Sequence, residues 1–171
     1  MLNVKYKIVD ERAVFAYGDS LKPQTSGSGA IDLRAMGSYL LSADGKLDIK
    51  NYIPLEEDET ISILPGEKVF FGTGLSVFIN DPNYAGFIVP RSSSSLKNIA
   101  LANTIGFIDS DYQGTLIACI KNIGNSPVNI EYKERICQYY VAPIARVNYI
   151  LTEDFESTDR NDKGFGSTGH K

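Results

Sequence analysis

The 171-residue sequence predicts an all-β domain of the sandwich or jelly-roll-barrel kind. Short apolar runs rich in β-branched and aromatic residues recur at 6–9, 60–64, 69–71, 75–79, 87–89, 99–108, 115–120, 128–132 and 136–143. Turn-forming clusters separate them: Pro65-Gly66, Asn80-Asp81-Pro82 and Gly124-Asn125-Ser126-Pro127. No long amphipathic helical pattern and no internal repeat competes with that reading; one helical turn is expected at 94–98, after a serine run.

Along the chain, the run at 6–9 opens the domain, and a Ser/Gly loop at 26–29 leads into a strand carrying Asp32. Residues 36–59 are polar and acidic (Asp44-Gly45-Lys46, then Glu56-Glu57-Asp58-Glu59) and read as a surface excursion between strands. From 60 onward apolar runs and turns alternate closely, up to the run at 136–143. In that last run strand alternation predicts Ile136 and Gln138 on one face, Arg135 and Cys137 on the other. Residues 157–171, STDRNDKGFGSTGHK, are polar and glycine-rich, and predict a mobile tail. The expected organisation is therefore a β domain at 1–156, with a surface insertion at about 36–59, followed by a tail at 157–171.

Composition narrows the function. Hydrophobic residues at 43% and charged residues at 22% fit an ordinary globular chain, and a net charge of −4 argues against coating nucleic acid. Cys119 and Cys137 lie in separate apolar runs, so they are expected as buried free thiols of a reducing compartment, not as a disulfide framework or zinc site. The single histidine, His170, is penultimate, which argues against a serine triad or a histidine metal cluster. The first residues have no apolar signal core and no run is long enough to span a bilayer, so a cytoplasmic protein is expected.

Five segments carry residue types suited to a nucleotide. In the tail, Phe165 stands between Gly164 and Gly166, with Ser167 and Thr168 after it and Arg160 before it. Glycines let the backbone wrap an anion, arginine offers a planar charged fork, and a phenyl ring offers a face for a base. Such a segment reads as a lid over a phosphate chain and base. Arg91, Ser92 and Ser93, within PRSSSS, combine charge, hydroxyls and free N–H donors at a helix start.

Residues 103–114, NTIGFIDSDYQG, read as two strands joined by a tight turn near Ser110-Asp111. Asp109 ends the apolar strand, where a rigid, partly desolvated carboxylate suits the orientation of a water nucleophile. Tyr112 lies across the turn, placed to test a sugar by shape. Asp32, in SGSGAIDLRA, is a candidate outer-shell magnesium partner, and ERICQ holds Arg135 and Gln138. Each segment alone also has a plain reading: a linker, a helix cap, a turn residue, a turn before a strand.

Taken together and in this order, SGSGAIDLRA, PRSS, GFIDSDYQG, ERICQ and RNDKGFGSTG resemble the five motifs of the trimeric dUTPase family, from about residue 25 onward. The resemblance implies a distorted jelly-roll homotrimer with three active sites, each assembled from three chains. It implies hydrolysis of dUTP to dUMP and pyrophosphate by water attack at the α-phosphorus, keeping uracil out of DNA and supplying dUMP for dTMP synthesis. Asp109 matches the carboxylate that positions the water and contacts the 3′-hydroxyl, and Tyr112 the ring that packs on deoxyribose. Asn103, backbone groups along Gly106, Phe107 and Ile108, and Ile117 match the uracil-reading hairpin. Arg91, Ser92, Ser93 and Gln138 match phosphate contacts, and Arg135 a scaffold role beside them. Arg160, Phe165, Gly166, Ser167 and Thr168 match the lid. Mg²⁺ is implied, held mainly by the triphosphate, with Asp32 reaching it through water.

This sequence departs from the family pattern at Ser93, where glycine is commonest, and at Ala30-Ile31, where Gly-Tyr or Gly-Leu is usual. The stretch at 36–59 is also longer than the usual connection; it reads as a plain insertion, since loops tolerate added length, with a surface element for a protein partner as the alternative. Two alternatives accompany the main reading: a dCTP deaminase of the same fold, and a nucleotide-responsive regulatory binding protein.

Overall fold

The computed structural model describes residues 2–18 and 20–162. Its elements run β1 (Lys5–Ile8), α1 (Ala13–Tyr17), β2 (Ile31–Arg34), β3 (Gly37–Leu41), β4 (Leu47–Pro54), β5 (Thr60–Ile63), β6 (Lys68–Phe78) and β7 (Tyr84–Val89). A 3-10 turn (Ser92–Ser94) follows, then β8 (Ile99–Leu101), β9 (Gly106–Ile108), β10 (Thr115–Asn122), β11 (Val128–Glu131) and β12 (Arg135–Pro143). The all-β expectation holds. Among the described residues no helix is long and apolar enough to cross a membrane.

The two runs expected at 69–71 and 75–79 are one strand, β6, and it organises the larger sheet, β4-β3-β6-β10-β8. One edge of β6 pairs with β10; the other is shared by β3 at Phe70–Gly72 and β1 at Leu75–Phe78. A strand bracketed in this way is buried on both faces from Phe71 to Val77, and its polar side chains must find partners inside. They do: Thr73 Oγ1 donates to the Leu116 carbonyl at 2.8 Å and Ser76 Oγ to the Gln113 carbonyl at 2.6 Å.

The second sheet has the order β2-β12-β7-β9, and β5 pairs with β11 in a small third sheet. Between the sheets lies one apolar core, with Phe71, Leu75, Leu116 and Ile120 from one side and Leu33, Ile88, Ile136 and Tyr139 from the other. Burying these side chains supplies the main favourable term for the fold, roughly 1.5–3 kcal/mol for each large apolar group.

Four expectations are corrected. Residues 36–59, though largely at the surface, are more than a loop between strands: they carry the antiparallel hairpin β3–β4, with β3 hydrogen-bonded to β6 and Met36, Tyr39 and Leu55 buried. The charged loops read in the sequence are its turn and the exit after β4. Second, the run 99–108 is two strands. Ile105 N donates to the Asn103 carbonyl at 2.6 Å with Thr104 at φ 64°, a tight turn that sends β8 and β9 into different sheets.

Third, β9 and β10 flank a turn at Ser110-Asp111 as expected, closed by Tyr112 N donating to the Asp109 carbonyl at 3.1 Å. They do not pair with each other, because β9 pairs with β7 and β10 with β6 and β8. Fourth, a register shift between Arg135 and Cys137 breaks the alternation of β12. Ile136 and Cys137 therefore both enter the core, and Gln138 faces away from it. The helical turn expected at 94–98 begins two residues earlier, at Ser92.

Candidate active site

Three of the five sequence segments meet on the second sheet. The register of β12 sets Gln138 opposite both Asp32 of β2 and Val89 of β7. Pro90 ends β7, and the chain turns at Arg91, whose backbone N–H donates to Ser94 Oγ at 3.2 Å. That turn returns the Arg91 guanidinium to Asp32: Nε donates to Oδ1 at 2.7 Å, and Nη1 donates to Ser93 Oγ at 3.1 Å and to the Arg135 carbonyl at 3.2 Å. Arg135 Nη1 donates to the other Asp32 oxygen at 3.2 Å. Gln138 Nε2 donates to the Pro90 carbonyl at 3.0 Å, fixing the amide beside the turn.

The Asp32 side chain is 12% exposed and that of Arg91 22%, so this pairing is largely sheltered from solvent screening, whereas Arg135, 43% exposed, meets Asp32 at the solvent edge. The consequence is a pre-aimed arginine. Asp32 occupies the Nε edge of Arg91, which leaves the guanidinium fixed in direction while Ser92 and Ser93 stay exposed beside it. Ser93, the departure from glycine, supplies a hydroxyl that Arg91 uses. Next to this cluster, Asp32, Gln138, Gly29 and Ala30 line a cleft of about 480 Å³. Gln24 and Tyr140 line it too, and sequence reasoning missed both. Tyr140 was findable, since it lies two residues from Gln138 on a strand and so shares its face.

Asp109 is elsewhere. It follows β9, whose Ile108 pairs with Gly86, which in turn pairs with Val141 of β12. Asp109 is thus level with Ala142, four residues along β12 from the Gln138 row, or ~13 Å by strand rise. Contrary to expectation its side chain is exposed in the single chain rather than desolvated. It lines a cleft of about 540 Å³ with Asp111, Phe107, Tyr84, Asn80 and Arg146, the last three missed in the sequence for want of any motif around them. Asn80 N donates to the Ser110 carbonyl at 2.9 Å and pins the turn.

Tyr112 is 40% exposed, and its hydroxyl donates to the Thr115 carbonyl at 2.9 Å. Asn103 is exposed on the strained turn, Gly106 is buried and Phe107 exposed on β9, and Ile108 and Ile117 are half-buried. Arg160 is exposed in the irregular stretch beyond β12. Phe165, Gly166, Ser167 and Thr168 lie outside the described residues.

A family model described as dUTPase matches residues 52–169. A deoxyuridine 5'-triphosphate nucleotidohydrolase of Polynucleobacter asymbioticus is 39% identical over 173 residues, 99% of each chain. The chain belongs to the dUTPase family.

A relative of the same name from Haemophilus influenzae is 41% identical over 133 residues, 77% of this chain and 85% of that one. Among solved structures, a mutant of the Staphylococcus bacteriophage 80alpha dUTPase with dUpNHpp superposes at a TM-score of 0.74 with 22% identity, covering 99% of both chains. A mutant dUTPase from phage phi11 of S. aureus, described as revealing the coordination of a structural Mg(II) ion, gives 0.66 at 18% identity, covering 91% of this chain and 99% of that one. These two show that the dUTPase fold is shared.

Proposed function

We infer that this dUTPase-family chain hydrolyses dUTP to dUMP and pyrophosphate. The observation that carries the reading is the cluster of Asp32, Arg91, Ser93, Arg135 and Gln138, drawn from three separate segments onto adjacent strands. Its chemistry suits a polyphosphate: a fixed guanidinium, hydroxyls and an amide around an open cleft. The curated relatives carry the nucleotidohydrolase name, which favours hydrolysis over the dCTP deaminase alternative.

In this reading Arg91, Ser92, Ser93 and Gln138 hold phosphate oxygens, and Asp32 and Arg135 hold Arg91 in place. Asp109 accepts a hydrogen bond from the attacking water and aims it at the α-phosphorus, opposite the pyrophosphate that leaves. Tyr112 packs against deoxyribose, and the backbone of Gly106, Phe107 and Ile108, with Asn103 and Ile117, reads uracil. Arg160, Phe165, Gly166, Ser167 and Thr168 close over base and terminal phosphate. Fixed dipoles and charges at the phosphoryl group and an oriented nucleophile account for most of the acceleration in such transfers.

Among the described residues no three His, Cys, Asp or Glu side chains converge as a metal cage, and both Asp32 oxygens engage arginines. That donor set suits Mg²⁺ carried in by the triphosphate, with Asp32 as its water-mediated partner. When bound, the ion neutralises phosphate charge. Cys119 and Cys137 are free, and burial pushes the Cys137 thiol well above its ordinary range, which supports an unreactive structural role in a reducing cytoplasm.

The distance between Asp109 and the Arg91 cluster supports a homotrimer, because one substrate must reach both. Exposed apolar side chains in the arm after β12 support it too: Tyr149, Ile150, Leu151 and Phe155 are 91%, 81%, 99% and 84% exposed and need cover. A complementation experiment tests the shared site. Coexpressing Asp109→Asn and Arg91→Ala chains, each inactive alone, creates junctions with both native residues. If the two come from different chains, about a quarter of wild-type activity returns from an equal mixture. Mixed trimers as inactive as either parent would place both residues of a site in one chain.

A further inference from the structure

Three aromatic side chains form a row across the outward face of the second sheet. Phe107 of β9 pairs with Phe87 of β7, and Phe87 with Tyr140 of β12. Strand alternation turns their neighbours Ile88 and Tyr139 into the core and the row itself away from it. The rings pack together: the Phe87 and Tyr140 centroids are 5.2 Å apart with planes 19° from parallel, and Phe107 meets Phe87 in a T at 5.3 Å. Phe107 is 54% exposed and the other two are half-buried, so a single chain leaves a contiguous aromatic ridge in water.

The surroundings of the row say what covers it. Its neighbours on the same face of β7 and β12 are Ala85, Val89, Gln138 and Ala142, none of them charged. At one end stand Arg91 and Arg135 against the carboxylate of Asp32, an excess of one positive charge. At the other end Asp109 and Asp111 stand with Arg146, an excess of one negative charge. Tyr140 lines the cleft at the first end, and Phe107 the cleft at the second. An uncharged aromatic centre within a charged rim is the anatomy of a protein–protein contact. Opposite charges at its two ends fit this face to a copy of itself, basic end against acidic end. A nucleic-acid strand fits less well: Phe87 is flanked by rings on both sides, which leaves it no free face for a base, and the chain carries a net charge of −4.

We propose that the outward face of β12, β7 and β9 is the contact between copies of this chain, with Phe107, Phe87 and Tyr140 as its dry centre. This rests on the homotrimer reading above and adds which surface makes the assembly. A copy seated on the row roofs both clefts. It brings the Arg91 cluster of one copy toward Asp109 of the next, so the same burial that holds the copies together completes the site.

The test is sedimentation velocity over a dilution series, with circular dichroism to report folding. It compares the unmutated full chain with Phe87→Glu, Phe107→Glu and Phe15→Glu. Phe15 is 82% exposed on α1, a helix anchored to the other sheet by Tyr17 Oη donating to the Thr73 carbonyl, and serves as the control. A carboxylate at the dry centre loses its water without gaining a partner when copies meet. Both face variants therefore keep the β spectrum and dissociate at protein concentrations about 100-fold or more above the unmutated chain, the scale of a central contact residue. Phe15→Glu assembles as the unmutated chain does. Where Phe87→Glu fails to fold, Phe107→Glu decides, because that ring is already more than half exposed. A folded face variant that assembles as tightly as the unmutated chain overturns the proposal, as does an equal loss in Phe15→Glu. An unmutated chain that cleaves dUTP while sedimenting as a monomer would instead sink the homotrimer reading, and this proposal with it.

Discussion

Asp109→Asn lowers turnover of dUTP by ~100-fold or more while nucleotide binding and assembly stay as in the unmutated chain. The substitution is nearly isosteric, and it lies on an exposed turn held by the backbone: Tyr112 N bonds to the Asp109 carbonyl, and Asn80 N to that of Ser110. The fold therefore loses nothing when the side chain changes. An amide still hydrogen-bonds a sugar hydroxyl, so affinity persists, but it lacks the negative charge that draws a proton from water and aims a lone pair at phosphorus. Phosphate affinity stays because Arg91, Ser93 and Gln138 are held by bonds that do not involve Asp109. Pyrophosphate release measures turnover, and calorimetry with a non-hydrolysable dUTP analogue measures binding. Near-normal turnover would remove Asp109 from the role of water-positioning group.

Ending the chain after Asp159 gives a folded assembly that is nearly inactive. Beyond Pro143, the last residue of β12, the described chain forms no strand. Its later part includes local hydrogen bonds such as Thr152 Oγ1 to the Asp154 carbonyl at 2.8 Å and Thr158 N to Asn161 Oδ1 at 2.8 Å. Residues 157–162 are exposed, so the cut falls outside the core, and the melting curve is expected to stay in place. What goes is the guanidinium of Arg160, the ring of Phe165 and the hydroxyls of Ser167 and Thr168. Without their closure water enters and the triphosphate is held loosely, at a cost of about 100-fold or more in kcat/KM. Full activity in the shortened chain refutes the lid.

How much of this was readable in advance depended on how locally each feature is encoded. Strands such as β10 and β11, with inward Leu116, Ala118, Ile120, Val128 and Ile130, follow from apolar runs between turns. The β3–β4 hairpin did not, because β4 is an edge strand with most of its side chains in solvent, and its sequence LDIKNYIP shows no clean apolar face. The break between β8 and β9 was hidden because Thr104, a β-branched residue, sits at positive φ where Gly or Asn would announce a turn. The bulge in β12 left no mark that alternation could detect, yet it decides that Cys137 is buried and Gln138 faces the cleft.

The candidate site shows the same division. Residue types identified Asp32, Arg91, Asp109 and Gln138, since each bears the group its chemistry needs. Which of them meet is a matter of register. Only the pairing of Gln138 with Asp32 and Val89 reveals that the anion cluster and Asp109 occupy different ends of one sheet. Tyr52 escaped notice because what fixes it, a hydrogen bond to Asp10, joins residues 42 positions apart in the chain.

The most direct measurement incubates the purified full chain with dUTP, dTTP, dCTP and UTP in turn, with Mg²⁺, and resolves nucleotide products, pyrophosphate and ammonia. The account predicts dUMP and pyrophosphate in equal amounts from dUTP, with the other three left essentially intact and no ammonia from dCTP. Intact dUTP, or comparable cleavage of all four, would contradict it.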